Sequence, residues 1–182
     1  MSSANVHFTE LLRNISPAMA ATATTAPIDA STEVAFSPDG EAEQTVLKVI
    51  SSAQRSIRLA AYSFTSPVVV RGLLEARKRG VDVGVVVDER GNRSPSSIAA
   101  LNLLVNAGIP TRTNARYAIL HDKYVIVDGR HLQTGSFNFS KAAASRNSEN
   151  VIVVWNNPKV ASQYLDHWQR RWQQGAAYQS SY

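Results

Sequence analysis

Six residues between positions 121 and 138 carry groups suited to chemistry on a charged ester. They are His121, Lys123, Asp128, Gly135, Ser136 and Asn138, spaced H-x-K, four residues, D, six residues, G-S-x-N. A phosphodiester carries a negative charge that repels nucleophiles. Its cleavage therefore needs neutralised oxygens, an attack on phosphorus and a proton for the leaving oxygen. Imidazole can attack or donate the proton, while an ammonium and an amide hold the oxygens. His121 is thus the candidate nucleophile or general acid. Lys123 and Asn138 form the candidate oxyanion clamp, with Ser136 as a supporting hydrogen-bond partner. Asp128 sits where a turn favours aspartate for its own geometry, and a turn or ion-pair role is expected of it. No cofactor is expected, and no metal site either, because Asp122 and His121 are consecutive and a strand sends them to opposite faces. His7, His131 and His167 lack such company and receive no role.

Positioning these groups falls to a hairpin. The apolar runs YVIV and HLQT flank Asp128-Gly129, a pair that favours a tight turn between strands. Alternation puts His121 and Lys123 on one side of the first strand, and the second strand ends in Gly-Ser-x-Asn at the same end of the hairpin.

The spacing resembles the phospholipase D superfamily signature at every fixed position. The segments AYSFTSP, KRGVDV, VVDERGN, GSFNFSKAA, NSENVIVVWN and HWQRRWQQG extend the likeness to the superfamily's short, single-motif bacterial endonucleases of the Nuc type, from about residue 34 to 182. The resemblance implies a phospholipase D/nuclease-like α/β fold and a metal-independent phosphodiesterase that passes through a phosphohistidine. It also implies a homodimer with the active site at the subunit interface. One motif per chain means that two His121 residues meet in one site, and one imidazole cannot attack and donate a proton at once. Glu149 matches the family's acidic residue that bonds the nucleophilic imidazole, where a carboxylate would fix the tautomer and stabilise the cation.

Around the motif the chain reads as one domain over residues 34–182. Val34–Phe36 is an expected edge strand, and Glu41–Gln54 an amphipathic helix presenting Val46, Val49, Ile50 and Ala53. A strand over Ser56–Phe64, a helix over Pro67–Arg79 and a strand over Val81–Asp88 predict a right-handed crossover and a parallel pair. Glu89–Pro95 reads as a polar loop, followed by a helix over Ser96–Ala107 and a strand over Ile109–Thr113. Beyond the motif come a strand over Glu149–Trp155 and a helix over Pro158–Gln174. The stripe Val160, Tyr164, Trp168, Trp172 on that helix is read as packing rather than a base-stacking platform. The expected fold is therefore α/β, a mixed and largely parallel sheet flanked by helices on both faces.

Residues 1–33 are rich in Ala, Ser and Thr and read as a flexible leader or degraded export signal, which makes a periplasmic or secreted location the expectation beside a cytoplasmic one. The absence of cysteine excludes a disulfide framework and a thiolate metal site. Net charge is +5, but residues 1–45 hold one Arg against six acids, so the remainder is strongly basic. Between 112 and 146 six Lys and Arg face two Asp. That excess beside the motif favours a polyanion such as DNA or RNA, although a solvated basic face would read alike. Arg90 and Arg93 in the polar loop, and Lys141 and Arg146 after the motif, are candidate backbone-phosphate contacts. Two other functions fit less well. A phospholipase D acting on lipid headgroups uses the same motif, but no lipid-inserting stretch is visible. A catalytically silent nucleic-acid-binding module should have shed His121 or Lys123.

Overall fold

The computed structural model describes Glu10, Ala26, residues 29–38 and residues 41–182. The leader reading of residues 1–33 falls almost entirely outside them. Within the domain, the strands are β1 (Ser31–Ser37), β2 (Ser56–Ala61), β3 (Asp82–Asp88), β4 (Thr111–Asn114), β5 (Lys123–Val127), β6 (His131–Gly135), β7 (Glu149–Trp155) and β8 (Ala176–Ala177). The helices are α1 (Glu41–Ser52), α2 (Pro67–Lys78), α3 (Pro95–Asn106), α4 (Lys141–Ser145) and α5 (Pro158–Gln174). The first strand starts three residues before the expected domain boundary, at Ser31.

The strands form one mixed sheet in the order β1-β7-β6-β5-β2-β3-β4-β8. Its parallel share is smaller than expected. The pairs β2–β3 and β3–β4 are parallel, and the five other neighbouring pairs are antiparallel. The reason lies in the connections. Only α2 and α3 are crossover helices between neighbouring strands, whereas the short turn at Asp128-Gly129 forces an antiparallel return. Both turn residues adopt positive φ, 55° at Asp128 and 67° at Gly129, and the Arg130 N–H donates to the Val127 carbonyl at 3.0 Å. That is the primed turn whose twist matches paired strands.

Period-two alternation divides the strands between two cores. Ile57, Leu59, Val83, Val85, Val87, Val125, Val127, Val151 and Val153 pack with the buried faces of α1, α2 and α3. Ala60, Val86, Tyr124, Ile126 and Leu132 pack with Ala161 and Trp168 of α5. The Trp168 indole donates to the Leu59 carbonyl at 2.9 Å, and a Cβ on Gly84 would lie 3.1 Å from its ring, so glycine admits the tryptophan to the sheet. The aromatic stripe of α5 is therefore packing, as expected: Val160, Tyr164 and Trp172 flank the same core. Helices α2, α3 and α5 each begin with proline behind a capping Ser66, Ser94 or Asn157.

Two further stretches are ordered by contacts within the domain. The polar loop after β3 contains a 3-10 turn at Arg90–Asn92, and Asn92 is only 4 % exposed. The C-terminal tail is docked on the domain. β8 pairs with β4, the Tyr178 hydroxyl donates to Asn102 Oδ1 at 2.9 Å, and Asn102 Nδ2 donates to Ser181 at 2.9 Å.

Candidate active site

The motif residues other than Asp128 gather where β2 and β3 end, β5 begins, β6 ends and β7 begins. His121 lies just before β5 rather than on it, and its side chain is exposed. The approach to it is anchored by Asp88, 2 % exposed, which accepts the Leu120 N–H at 2.7 Å. Lys123 opens β5 at 8 % exposure and donates to the His121 carbonyl at 2.9 Å. The ring of Tyr62 lies close to both: its centroid is 4.9 Å from the imidazole and 5.7 Å from Lys123 Nζ. Asp122 points the other way and meets His167 Nε2 of α5 at 3.0 Å. The expected alternation therefore holds across 121–123, although only Lys123 is in the ladder.

Burial lowers the pKa of Lys123 from the ordinary lysine value, against the opposing charges of Glu149 and Asp122. An ammonium held this way is poorly hydrated, and its field reaches a bound anion with little screening.

At the end of β6 the chain is squeezed against β7. Gly135 has φ 148°, and a Cβ there would lie 2.2 Å from the Asn150 carbonyl oxygen. Only glycine allows that approach, and it sets the next residue: the Ser136 N–H donates to that same carbonyl at 3.1 Å. The Ser136 hydroxyl donates to Glu149 Oε2 at 2.5 Å and accepts from the Asn150 backbone at 3.1 Å. Alternation then buries Phe137 and Phe139, while Thr65 and Ser66 N–H groups donate to the Phe139 carbonyl, both at 2.8 Å. Asn138, between the two phenylalanines, keeps a buried Oδ1 that has no protein partner among the described residues. An amide oxygen only accepts, so the group of Asn138 able to donate to an anion is its Nδ2.

The carboxylate of Glu149 accepts from Ser136 and, at 2.9 Å, from Asn147. Within the chain those are its bonds among the described residues; the bond to an imidazole implied by the resemblance is not among them. Asp128 lies at the opposite end of the hairpin. Its carboxylate accepts the backbone N–H groups of Gln54, Arg55 and Ser56 at 3.0, 2.8 and 2.8 Å, fastening the turn to the start of β2. Arg93 is paired with Glu89 at 2.6 Å, and Arg90 donates to the Ala118 carbonyl at 3.4 Å beside the approach to His121. Lys141 and Arg146 are exposed on the segment that joins Asn138 to Glu149.

The sequence reading missed Tyr62, Asp88, Asn92 and the Asp122–His167 pair. Tyr62, in the segment AYSF, immediately follows a strand end, where α/β proteins place binding groups, and that position is the signal that could have found it. His131 proves structural: its Nδ1 accepts the Asn156 N–H at 2.9 Å.

Taken together, the geometry offers an exposed imidazole, a desolvated ammonium, a primary amide and a hydroxyl–carboxylate pair. That set can polarise a tetrahedral phosphate and attack it.

A family model described as "Cardiolipin synthase, PLD-like domain" matches residues 46–172. Among curated proteins, a phospholipase D of Rickettsia bellii is 33 % identical over 136 residues, which is 75 % of this chain and 66 % of that protein. Human mitochondrial cardiolipin hydrolase is 33 % identical over 138 residues, 75 % of this chain and 54 % of that protein. The chain thus spans only part of these relatives, a little under two thirds of the first. Among solved structures, the phospholipase D family member Nuc from Salmonella typhimurium is 53 % identical with a TM-score of 0.83, covering 84 % of this chain and all of that one. NucT from Helicobacter pylori, at 24 % identity and a TM-score of 0.71, covers 82 % of this chain and all of that one; it shares the fold.

Proposed function

The chain belongs to the phospholipase D superfamily of phosphodiester hydrolases, and from that premise we propose that it is an endonuclease of low sequence preference. Its substrate in this reading is DNA, with RNA second, and it works as a homodimer without a metal. One observation carries this: an exposed His121 and a desolvated Lys123 sit beside one aromatic ring, in a strongly basic domain that supplies one motif imidazole per chain. The high identity to Nuc and the full coverage of that chain support a compact unit of the same type.

In the reaction, His121 of one chain attacks phosphorus. A P–N bond forms, the P–O bond to the leaving sugar oxygen breaks, and the protonated His121 of the second chain gives that oxygen its proton. The second imidazole, now neutral, takes a proton from water, whose oxygen displaces the first imidazole and leaves a phosphomonoester. Lys123 and Asn138 from both chains hold the non-bridging oxygens throughout. Ser136 orients Glu149, whose carboxylate stabilises the imidazolium of the pair. Arg90, Lys141 and Arg146 extend the positive surface along the nucleic-acid backbone, and phosphate contacts of this kind carry no sequence information.

The names of the curated relatives favour a second reading, hydrolysis of a phospholipid headgroup by the same groups. Plasmid nicking and choline release from phosphatidylcholine vesicles, measured side by side with chelator present, separate the two. We expect nicking that persists in chelator, weakens steeply with salt and disappears in His121→Ala. Nicking abolished by chelator, or choline release with no nicking, would overturn the endonuclease reading.

A further inference from the structure

We propose that Tyr62 is a positioning residue of the hydrolytic site: its ring is the shelf on which the His121 imidazole and the Lys123 ammonium are set, and Gly91 is the opening that admits it. This rests on His121 as nucleophile and Lys123 as phosphate clamp, and adds how the two are held in register.

Tyr62 follows the last residue of β2 and is half-buried. Its ring is tilted 58° to the imidazole at 4.9 Å and lies under Lys123 Nζ at 5.7 Å. Both neighbours approach one aromatic system, and both are cationic at some stage of the reaction. The negative face of a ring attracts an ammonium, and an imidazolium as well once the nucleophile carries phosphorus. An exposed imidazole with free torsions reacts only from the fraction whose nitrogen faces phosphorus, so a wall against one side of it narrows the search.

The shelf itself is fixed. The Tyr62 carbonyl accepts from Asn92 Nδ2 at 2.5 Å, and Asn92 Oδ1 accepts the Phe64 N–H at 2.9 Å. Asn92 Nδ2 also donates to the Asp88 carbonyl at 2.8 Å. The Asp88 carboxylate in turn accepts Leu120 N–H on one oxygen and Gly91 N–H, at 2.6 Å, on the other. Two buried polar side chains thus tie together the chain around Tyr62, the chain leading into His121 and the turn that carries Gly91. A Cβ on Gly91 would lie 2.8 Å from Tyr62 Cε2 and 3.1 Å from the Tyr62 carbonyl. The ring can keep its place only if that position has no side chain.

Four variants test this: Tyr62→Leu, Tyr62→Phe, Gly91→Ala and the double variant Tyr62→Leu/Gly91→Ala. The readouts are kcat and KM on bis(p-nitrophenyl) phosphate and the His121 ring signals in a proton–carbon NMR titration. We expect Tyr62→Leu to lower kcat by about tenfold, the worth of one aromatic contact, with little change in KM and with a displaced His121 signal. Tyr62→Phe should restore both. Gly91→Ala should copy Tyr62→Leu, and the double variant should be no worse than either single one, because the second change has nothing left to move. Wild-type kcat and an unmoved His121 signal in Tyr62→Leu overturn the proposal. So does a Tyr62→Phe variant as impaired as Tyr62→Leu, which would make the hydroxyl a substrate contact instead. Should Gly91→Ala not fold, the Leu and Phe variants decide alone. A wild-type protein that hydrolyses no phosphodiester removes the hydrolytic reading, while the NMR signal still reports whether Tyr62 sets the imidazole.

Discussion

Lys123 is a buried ammonium, and its burial has a cost in the fold as well as a use in the site. Desolvation lowers its pKa from the ordinary 10.5. Between the folded-state value and 10.5 the unfolded chain therefore holds more protons, and stability rises with pH across that window. Lys123→Met should abolish that alkaline rise in urea-unfolding midpoints. At neutral pH the variant should be no less stable than wild type, while kcat falls by at least about a hundredfold, the usual loss for an oxyanion donor. A Lys123→Met protein markedly less stable than wild type would mean that the charge is paired in the fold rather than penalised by it. His131 shifts in the same direction, in a lower pH window. Burial lowers its pKa, the neighbouring Arg130 adds to this, and Asp128 opposes it. Its Nδ1 also accepts a backbone hydrogen bond, which an imidazolium cannot do. The contribution of neutral His131 is thus complete above about pH 6.5 and is lost as pH falls below it, at no more than about 1.4 kcal/mol per pH unit. Unfolding midpoints between pH 7.5 and 5.0 should fall in wild type and flatten in His131→Gln. Equal slopes in the two would clear His131 of the effect.

At the scale of elements, the β5–β6 hairpin does two jobs at its two ends. One end presents His121 and Lys123 with Ser136 and Asn138. The other holds the fold through Asp128, whose three backbone N–H partners stitch the turn to the α1–β2 connection. Asp128→Ala should therefore cost about 2 kcal/mol of stability, since it removes the charged acceptor shared by three backbone N–H groups. It should leave kcat per folded molecule unchanged at a temperature where both proteins are folded. A selective loss of kcat without loss of stability would move Asp128 into the chemistry. The Asp122–His167 contact belongs to the same scale. It fastens the residue between His121 and Lys123 to α5, on the far side of the sheet from the site.

At the scale of the whole molecule, one chain supplies one motif imidazole where the proposed reaction uses two. Subunit exchange tests this. When wild type is mixed with increasing His121→Ala protein and allowed to exchange, activity should fall with the square of the wild-type fraction. A linear fall would mean that each chain works alone. Much of this was legible from the residue order. The H-x-K spacing, Asp-Gly turn and Gly-Ser-x-Asn run identified the hairpin, because turn chemistry and strand alternation are local properties. The β2–α2–β3 crossover followed from hydrophobic periods and lengths in the same way. The tertiary structure alone decided what depends on residues far apart in the chain. It set Tyr62 beside His121 and Lys123, tied Leu120 to Asp88, bound Glu149 to Ser136 rather than to its own imidazole, and docked Tyr178 and Ser181 on Asn102. The physical reason is that such contacts form where strand ends meet after the sheet has assembled, and a pattern of neighbours along the chain does not encode which ends will meet.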